Sequence, residues 1–559
     1  VCSSDLALGL RLVAIWGRFA RSPADAPRLL TAAAAAVACY IAFGKVLSPQ
    51  YVIWLLPIVP LVPGRRGLVA IGLYAIVLLA TVGYFPSGYQ ALVEQRDVHV
   101  AWSLLVRNVA LAALAIELIV PWERVGAWVD ALRTDPAARA RLAARVPSPG
   151  TLFVLLFVAS LLIRALWLAK PDGSLIFDET YYVNAARVIN GFAVPDQAPY
   201  ATATPFLDPN MEHPPLGKAL IALSMSIFGD QAIGWRLPSI ATGMLSIVAL
   251  WSIVNVLTRR PWIALLAATL LSLDVLSFIH GRIGTLDMMA VGFALAGARF
   301  ALVRRRPVAG ALLAGVFLAL ACLVKIPSIY AVLAVVVWEA VPLLSEWRAT
   351  RRLPWRSGLR TYLPMLGALA VVGLVGLWLL DLRYTAFTSP IDHIRHMLTY
   401  GFNLADRYTP NSITSDPWQW LVNDVQFDYL KVAVNTSVNG ETVGSRPSIE
   451  FRALINPVLL AGMAIVIPWS IHQAWRRRDR LAGWALVWMG ANWLPYVALA
   501  LLTNRVMYFY YVLPVIPGLA ALSALFLVRA KLPRIVLVAY LLLAAGAFLA
   551  WFPFRQLPS

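Results

Sequence analysis

The sequence predicts an all-α polytopic membrane protein, and three observations carry that expectation. Of 559 residues, 60% are hydrophobic and only 13% charged, with a mean hydropathy of +0.73. A soluble domain has too much surface for its volume to hide that apolar fraction. Runs such as Thr151–Ala169, Pro238–Val256 and Arg534–Trp551 approach or reach the ~20 apolar residues that cross a bilayer core. The basic residues, which leave a formal charge of +19, sit in short clusters between those runs. That placement is the cytoplasmic-loop excess of membrane proteins, with no basic amphipathic face or aromatic-interleaved patch for nucleic acid.

Residues 1–121 hold four or five spans by the same length criterion. The chain opens on Val1 rather than Met, without a charged region before Leu6. The expectation is a natural start further upstream rather than a signal peptide. A polar, Arg- and Ala-rich stretch, Trp122–Pro149, reads as a cytoplasmic linker (122–149) lying on the membrane surface.

From residue 150 onward about eleven spans are expected, at 151–169, 236–257, 261–280, 286–303, 307–324, 327–344, 361–380, 453–474, 481–502, 506–528 and 535–552. Alternation then puts Arg259-Arg260, Arg304 to Arg306, the five arginines of Arg348–Arg360, Arg476 to Arg480, and Arg529, Lys531 and Arg534 on one side. By the positive-inside rule that side is the cytoplasm. The other side carries two long loops, 170–235 and 381–450. Lys170–Gly217 holds six acidic and two basic residues, and Asp381–Glu450 eight and five. Loops of that length are usually functional. The chain thus divides into a module at 150–380, the loop 381–450, and a four-helix region at 451–559.

The first outer loop opens with Phe177-Asp178-Glu179-Thr180-Tyr181-Tyr182, eight residues past a span. Asp178 is either the N-cap of a helix over 179–190 or a carboxylate placed to take a proton from an acceptor hydroxyl, and both roles are compatible. Next comes Glu212-His213-Pro214-Pro215-Leu216-Gly217-Lys218, where two prolines fix the entry of a helix too short to span. A lone His such as His213 is often structural. Arg282 and Asp287 bracket the turn after the third span, as a helix-end ion pair or as site residues. Arg164, Lys325 and Arg505 sit inside or at the outer ends of apolar spans, where a cation implies a partner, a function or snorkelling to the interface. All face the acidic loops, an arrangement suited to an anionic lipid headgroup such as a phosphate. In the second loop, Ser415-Asp416-Pro417-Trp418-Gln419-Trp420 predicts a helix start followed by interface-seated tryptophans.

The order of these motifs resembles the protein O-mannosyltransferase family and its bacterial relatives of the GT-C type. Arg164 is followed by Phe-Asp-Glu-x-x-Tyr, His-Pro-Pro-Leu-Gly-Lys, Gly-Trp-Arg-Leu-Pro-Ser (Gly234–Ser239), Arg-x-x-x-x-Asp, Lys325, Ser-x-Pro-Trp-x-Trp and Arg505. The resemblance covers about 150–559. It implies a GT-C-like bundle that transfers mannose, with inversion, from a polyprenyl-phosphate donor to protein Ser or Thr hydroxyls outside the cytoplasm, at the cell membrane. Mapped by motif, Asp178 is the general base, and Glu179 positions the acceptor or pairs with Arg282. Arg505 and Lys325 stabilise the departing phosphate. Arg164, Arg282, His213, Lys218, Asp287 and Tyr182 complete the substrate-binding set. Ile326-Pro327 after Lys325 departs from the family's usual Trp-Val-Gly. No metal or other cofactor is expected, although Glu212/His213 and His393/His396 leave a metal alternative.

Lipid A aminoarabinose transferases share the first part of the pattern and stand as an alternative, with sugar passing to a lipid or glycan. A lipid-linked-sugar flippase is the alternative of another class, and would predict internal repeats with broken helices. Within the chain, Lys45-Val46-Leu47 to Tyr51-Val52-Ile53 parallels Arg505-Val506-Met507 to Tyr511-Val512-Leu513. That echo suggests that 1–121 is the C-terminal end of a related enzyme, without a catalytic loop of its own. The three cysteines, Cys2, Cys39 and Cys322, have neither disulfide nor metal spacing.

Overall fold

The computed structural model describes residues 3–554, apart from 22–24, 44–47, 84, 87–97, 123–125, 128–129, 132–133, 138–145, 304, 404–413, 425–426, 439–440 and 504. Much of the expected linker at 122–149, and Lys45 to Leu47 of the internal echo, therefore lie outside the described residues. The chain divides into two compact units, Val1–Val146 and Pro147–Ser559.

The first unit contains helices α1 (Ser3–Ala20), α2 (Ala26–Phe43), α3 (Gly64–Val82) and α4 (Val98–Ile119). Between α2 and α3 the chain runs through a seven-residue 3-10 helix, Pro49–Leu55. Its counterpart in the echo, Phe509–Val515, is also a seven-residue 3-10 helix. Proline explains both: it removes an N–H donor and is tolerated in a tight turn of helix.

The second unit contains the expected eleven apolar segments as helix. Helix α5 (Pro149–Ala165) is followed by the short α6 (Glu179–Asn190) and α7 (Leu216–Phe228). Then come α8 (Ala232–Thr258), α9 (Pro261–Ser272), α10 (Val275–His280), α11 (Leu286–Ala301), α12 (Pro307–Val324), α13 (Ile329–Thr350) and α14 (Trp355–Tyr384). Helix α15 (Pro390–Asn403) opens the second loop, and α16 (Pro457–Arg476), α17 (Arg480–Leu502), α18 (Ile516–Arg529) and α19 (Arg534–Ala550) close the chain. Among the described residues of the whole chain, nine helical segments are long and apolar enough to cross a membrane.

The expected span 261–280 is broken in two. Asp274 is fully buried at the break, where its carboxylate accepts from the backbone N–H of Ser277 and of Asn456, each at 2.8 Å. A buried carboxylate needs such donors, and the helix yields to supply them. The expectation of an all-α chain also needs one correction. The second loop contains an antiparallel hairpin, β1 (Phe427–Val438) and β2 (Glu441–Ala453). Leu430, Val432 and Val434 alternate with Lys431, Ala433 and Asn435, the period-two pattern of a strand. The core runs through α8 to α13 and α16 to α18, and extends to the hairpin root at Tyr429 and Phe451.

Candidate active site

The site forms where the first outer loop, the turn 281–285, the hairpin root and the 3-10 helix Phe509–Val515 meet. Helix α12 begins beyond Arg306 and ends at Lys325, so the site lies at the helix end opposite that arginine cluster. Lys325 Nζ bonds Asp287 Oδ1 at 2.7 Å and lies 5.1 and 5.6 Å from the rings of Tyr510 and Tyr511. Asp287, Lys325, Tyr330, Tyr496, Tyr510 and Tyr511 line a small, partly open cavity of about 40 Å³.

Asp178 precedes α6 in helical backbone conformation, and its side chain makes no capping bond. It bonds Tyr510 instead. Burial pushes its carboxyl up to about 7; the Lys325 charge opposes the rise, and the Asp287 carboxylate adds to it. Capping, the simple alternative for this residue, is thus not what its carboxylate does.

Glu179 holds that turn from beneath. It is fully buried, and its two oxygens accept from Ile176 N (2.8 Å), Gly284 N (2.6 Å), Arg236 Nε (2.7 Å) and Arg236 Nη2 (2.7 Å). The pairing expected with Arg282 is therefore corrected to Arg236. A Cβ on Gly284 would stand 2.6 Å from the carbonyl oxygen of Trp235, so only glycine lets the turn approach Arg236 and donate to Glu179. Arg282 serves a different end: its guanidinium donates to the carbonyls of Ile163, Arg164 and Trp167 and so caps the C-terminal end of α5. It does not pair with Asp287, whose cation is Lys325.

Two more residues of the expected substrate-binding set are committed to the protein. Arg164 is buried, bonds Ser160 and lies 5.2 Å from the Phe278 ring, so it does not snorkel, although its Nε has no hydrogen bond. Lys218 pairs with Asp208 at 2.6 Å, both side chains fully buried, and donates to the carbonyls of Asn210 and His213. Its work is to shape the 208–213 loop.

His213 and Tyr182 remain at the site, with ring centroids 6.3 Å apart. His213 Nδ1 is buried without a partner, and burial together with the Lys325, Lys218 and Arg505 charges drives the imidazole well below its usual range. Arg505 lies within electrostatic reach of His213, Tyr330, Tyr496 and Tyr511. Among the described residues it has no carboxylate partner, and its Nε is buried without a hydrogen bond. Asp287 Oδ2 is likewise buried and unbonded. Asp178 and Arg505 both act on Tyr508 and Tyr511, so residues separated by more than half of the second unit converge on one pair of tyrosines.

One of the two tryptophans expected at the interface, Trp420, differs from expectation, whereas Trp418 is exposed. Trp420 is completely buried, donates to Ser415 Oγ at 2.9 Å and packs on Tyr496 and Tyr511. The predicted helix start shrinks to one 3-10 turn, Gln419–Val422. Trp420 thus supports the aromatic wall of the cavity from behind. His393 bonds Asp381 at 2.7 Å and the Met211 carbonyl at 3.0 Å. Among the described residues no group of three or more His, Cys, Asp or Glu side chains stands together for a metal. Sequence reasoning missed Arg236, Tyr429 and His280. Arg236 carried a usable signal, a cation inside an apolar helix.

Residues 212–378 match the family model described as dolichyl-phosphate-mannose-protein mannosyltransferase. A polyprenol-phosphate-mannose–protein mannosyltransferase of Mycolicibacterium smegmatis is 25% identical over 430 residues, 65% of this chain and 79% of its own. One of Mycobacterium tuberculosis is 26% identical over 414 residues, 62% of this chain and 74% of its own. This chain is a membrane glycosyltransferase related to the protein O-mannosyltransferases. Its fold is that of the Saccharomyces cerevisiae Pmt1–Pmt2 complex bound to the sugar donor, with a TM-score of 0.55 at 13% identity over 74% of this chain and 91% of that one. As in the expectation from its motifs, this chain is a multi-pass membrane protein.

Proposed function

We propose that this mannosyltransferase relative moves mannose from a polyprenyl-phosphate donor to a protein Ser or Thr hydroxyl, on the extracytoplasmic side and with inversion. The observation that carries the reading is that Asp178, a carboxylate with a raised pKa, and Arg505, a cation with no carboxylate partner among the described residues, act on the same tyrosines, Tyr508 and Tyr511, the second of which lines the cavity with Lys325. The acceptor oxygen attacks the anomeric carbon as the bond from that carbon to the phosphate oxygen breaks. Asp178 takes the hydroxyl proton, and the leaving polyprenyl phosphate gains one negative charge. Arg505 and Lys325 stabilise that charge as it develops. A single displacement by a hydroxyl on the face opposite the phosphate inverts the anomeric centre.

Protein cations supply the electrostatics here, so the reaction is expected to proceed without a divalent metal. Sidedness rests on the positive-inside rule, with Arg306 at the end of α12 opposite Lys325. Membranes containing the chain, given labelled polyprenyl-phosphate-mannose and a Ser/Thr-rich peptide, are expected to label the peptide. Asp178→Asn should lower that rate ~10²–10⁴-fold while donor binding persists. Unchanged turnover would remove Asp178 as the base. Transfer to a lipid with none to peptide would favour the aminoarabinose-type alternative.

A further inference from the structure

Phe177, the residue immediately before Asp178, has φ +55°, a left-handed conformation that a side chain bearing Cβ rarely adopts. Something must hold it, because its relaxation would swing Asp178 away from Tyr510. The Phe177 ring stacks on Tyr429 of the hairpin, with centroids 4.1 Å apart and planes 14° from parallel. Phe427 and Tyr510 meet the same ring edge-on at 5.5 and 5.3 Å. Tyr429 is itself tethered: its hydroxyl lies 2.7 Å from Nε2 of His280, an imidazole with no solvent exposure. The other ring nitrogen of His280 lies 3.2 Å from Thr285 Oγ1 and 3.8 Å from Asp287 Oδ2, on the turn whose Asp287 bonds Lys325. His280 ends α10 just where Gly281 begins that turn, so the ring is fixed by the scaffold and not by the loop it restrains.

We infer that His280 is a positioning residue, which through the Tyr429 hydroxyl clamps Phe177 in its left-handed conformation and so aims Asp178 into the cavity. This rests on the proposed transfer reaction for its kinetic consequence, but the tether itself does not. The hairpin root, the base and the turn bearing Asp287 become one unit. Donor contacts at Arg505 are outside it.

The test uses the full chain in lipid nanodiscs, with rates normalised to the stoichiometry of polyprenyl-phosphate binding so that misfolded protein does not count. His280→Ala and Tyr429→Phe should each lower acceptor turnover about tenfold, the worth of one buried hydrogen bond, with donor KM unchanged. The double variant should be no worse than either single one. His280→Gln, whose amide nitrogen reaches the position of Nε2, should restore most of the rate. Hydrogen exchange over 176–180 and 427–434 should quicken in His280→Ala and recover in His280→Gln. Normal normalised turnover in His280→Ala, additive losses in the double variant, or unaltered exchange in those segments would each overturn the inference. Should wild type transfer no mannose at all, the proposed function falls, whereas the exchange measurement still decides the tether.

Discussion

Asp178 can accept a proton only as a carboxylate, and its environment decides at what pH that form is present. Burial disfavours the charged form and sets the group near 7, against 3.8 for an ordinary Asp. The sign follows directly: transfer is full above 7 and is lost as pH falls through it. With a midpoint near 7 the carboxylate fraction is about 91% at pH 8 and about 9% at pH 6, so the acceptor kcat/KM should fall about tenfold between them. His213 does not confuse this limb, because its imidazole stays neutral throughout the window. The assay is the initial rate of mannosyl transfer to a Ser/Thr peptide at saturating donor and subsaturating acceptor, across the neutral range. The residual activity of Asp178→Asn should lose the limb altogether. The same shift makes folded protein favour the protonated group, so its contribution to stability weakens as pH rises from about 4 towards 7, and Asp178→Asn should unfold no more easily than wild type at pH 8. A flat profile from pH 6 to 8, or an inflection near 4, would refute the argument that burial tunes this base.

Three further outcomes follow from the site. Glu179→Gln leaves the Arg236 charge buried with half of its fork unmet, a loss of about 3–5 kcal/mol, and should lower the temperature of thermal inactivation; removing both partners as Glu179→Gln with Arg236→Met should cost less than the single change. Arg505→Ala should raise the donor KM roughly 10–100-fold with acceptor KM little altered, and Arg505→Lys should recover only part, since an ammonium lacks the planar fork; equal KM values in wild type and Arg505→Ala would remove the phosphate role. Chelation of divalent ions should leave the transfer rate unchanged, and a rate restored only by added metal would overturn the assignment of leaving-group stabilisation to Arg505 and Lys325.

What the amino-acid order determined alone is what depends on short-range chemistry. Apolar length dictates the helices, so all eleven expected segments of the second unit are helical, and arginine clusters mark one set of their ends. Residue type at those ends was also legible: a carboxylate and a cation beside a span suggest a site, and Asp178 and Arg505 both act on Tyr511, which lines a cavity with Lys325. Partner choice was not legible. Glu179 pairs with Arg236, 57 residues away, instead of Arg282, and His280 finds Tyr429 across 149 residues. Cations at successive helix ends look alike along a chain, and only the packing of α5, α8 and the 281–285 turn brings one within 3 Å of the carboxylate while giving the other three carbonyls to cap. Tertiary structure likewise decided that Trp420 faces inward and that Phe177 holds a left-handed backbone, because both depend on neighbours that the hairpin and the 3-10 helix supply from distant sequence.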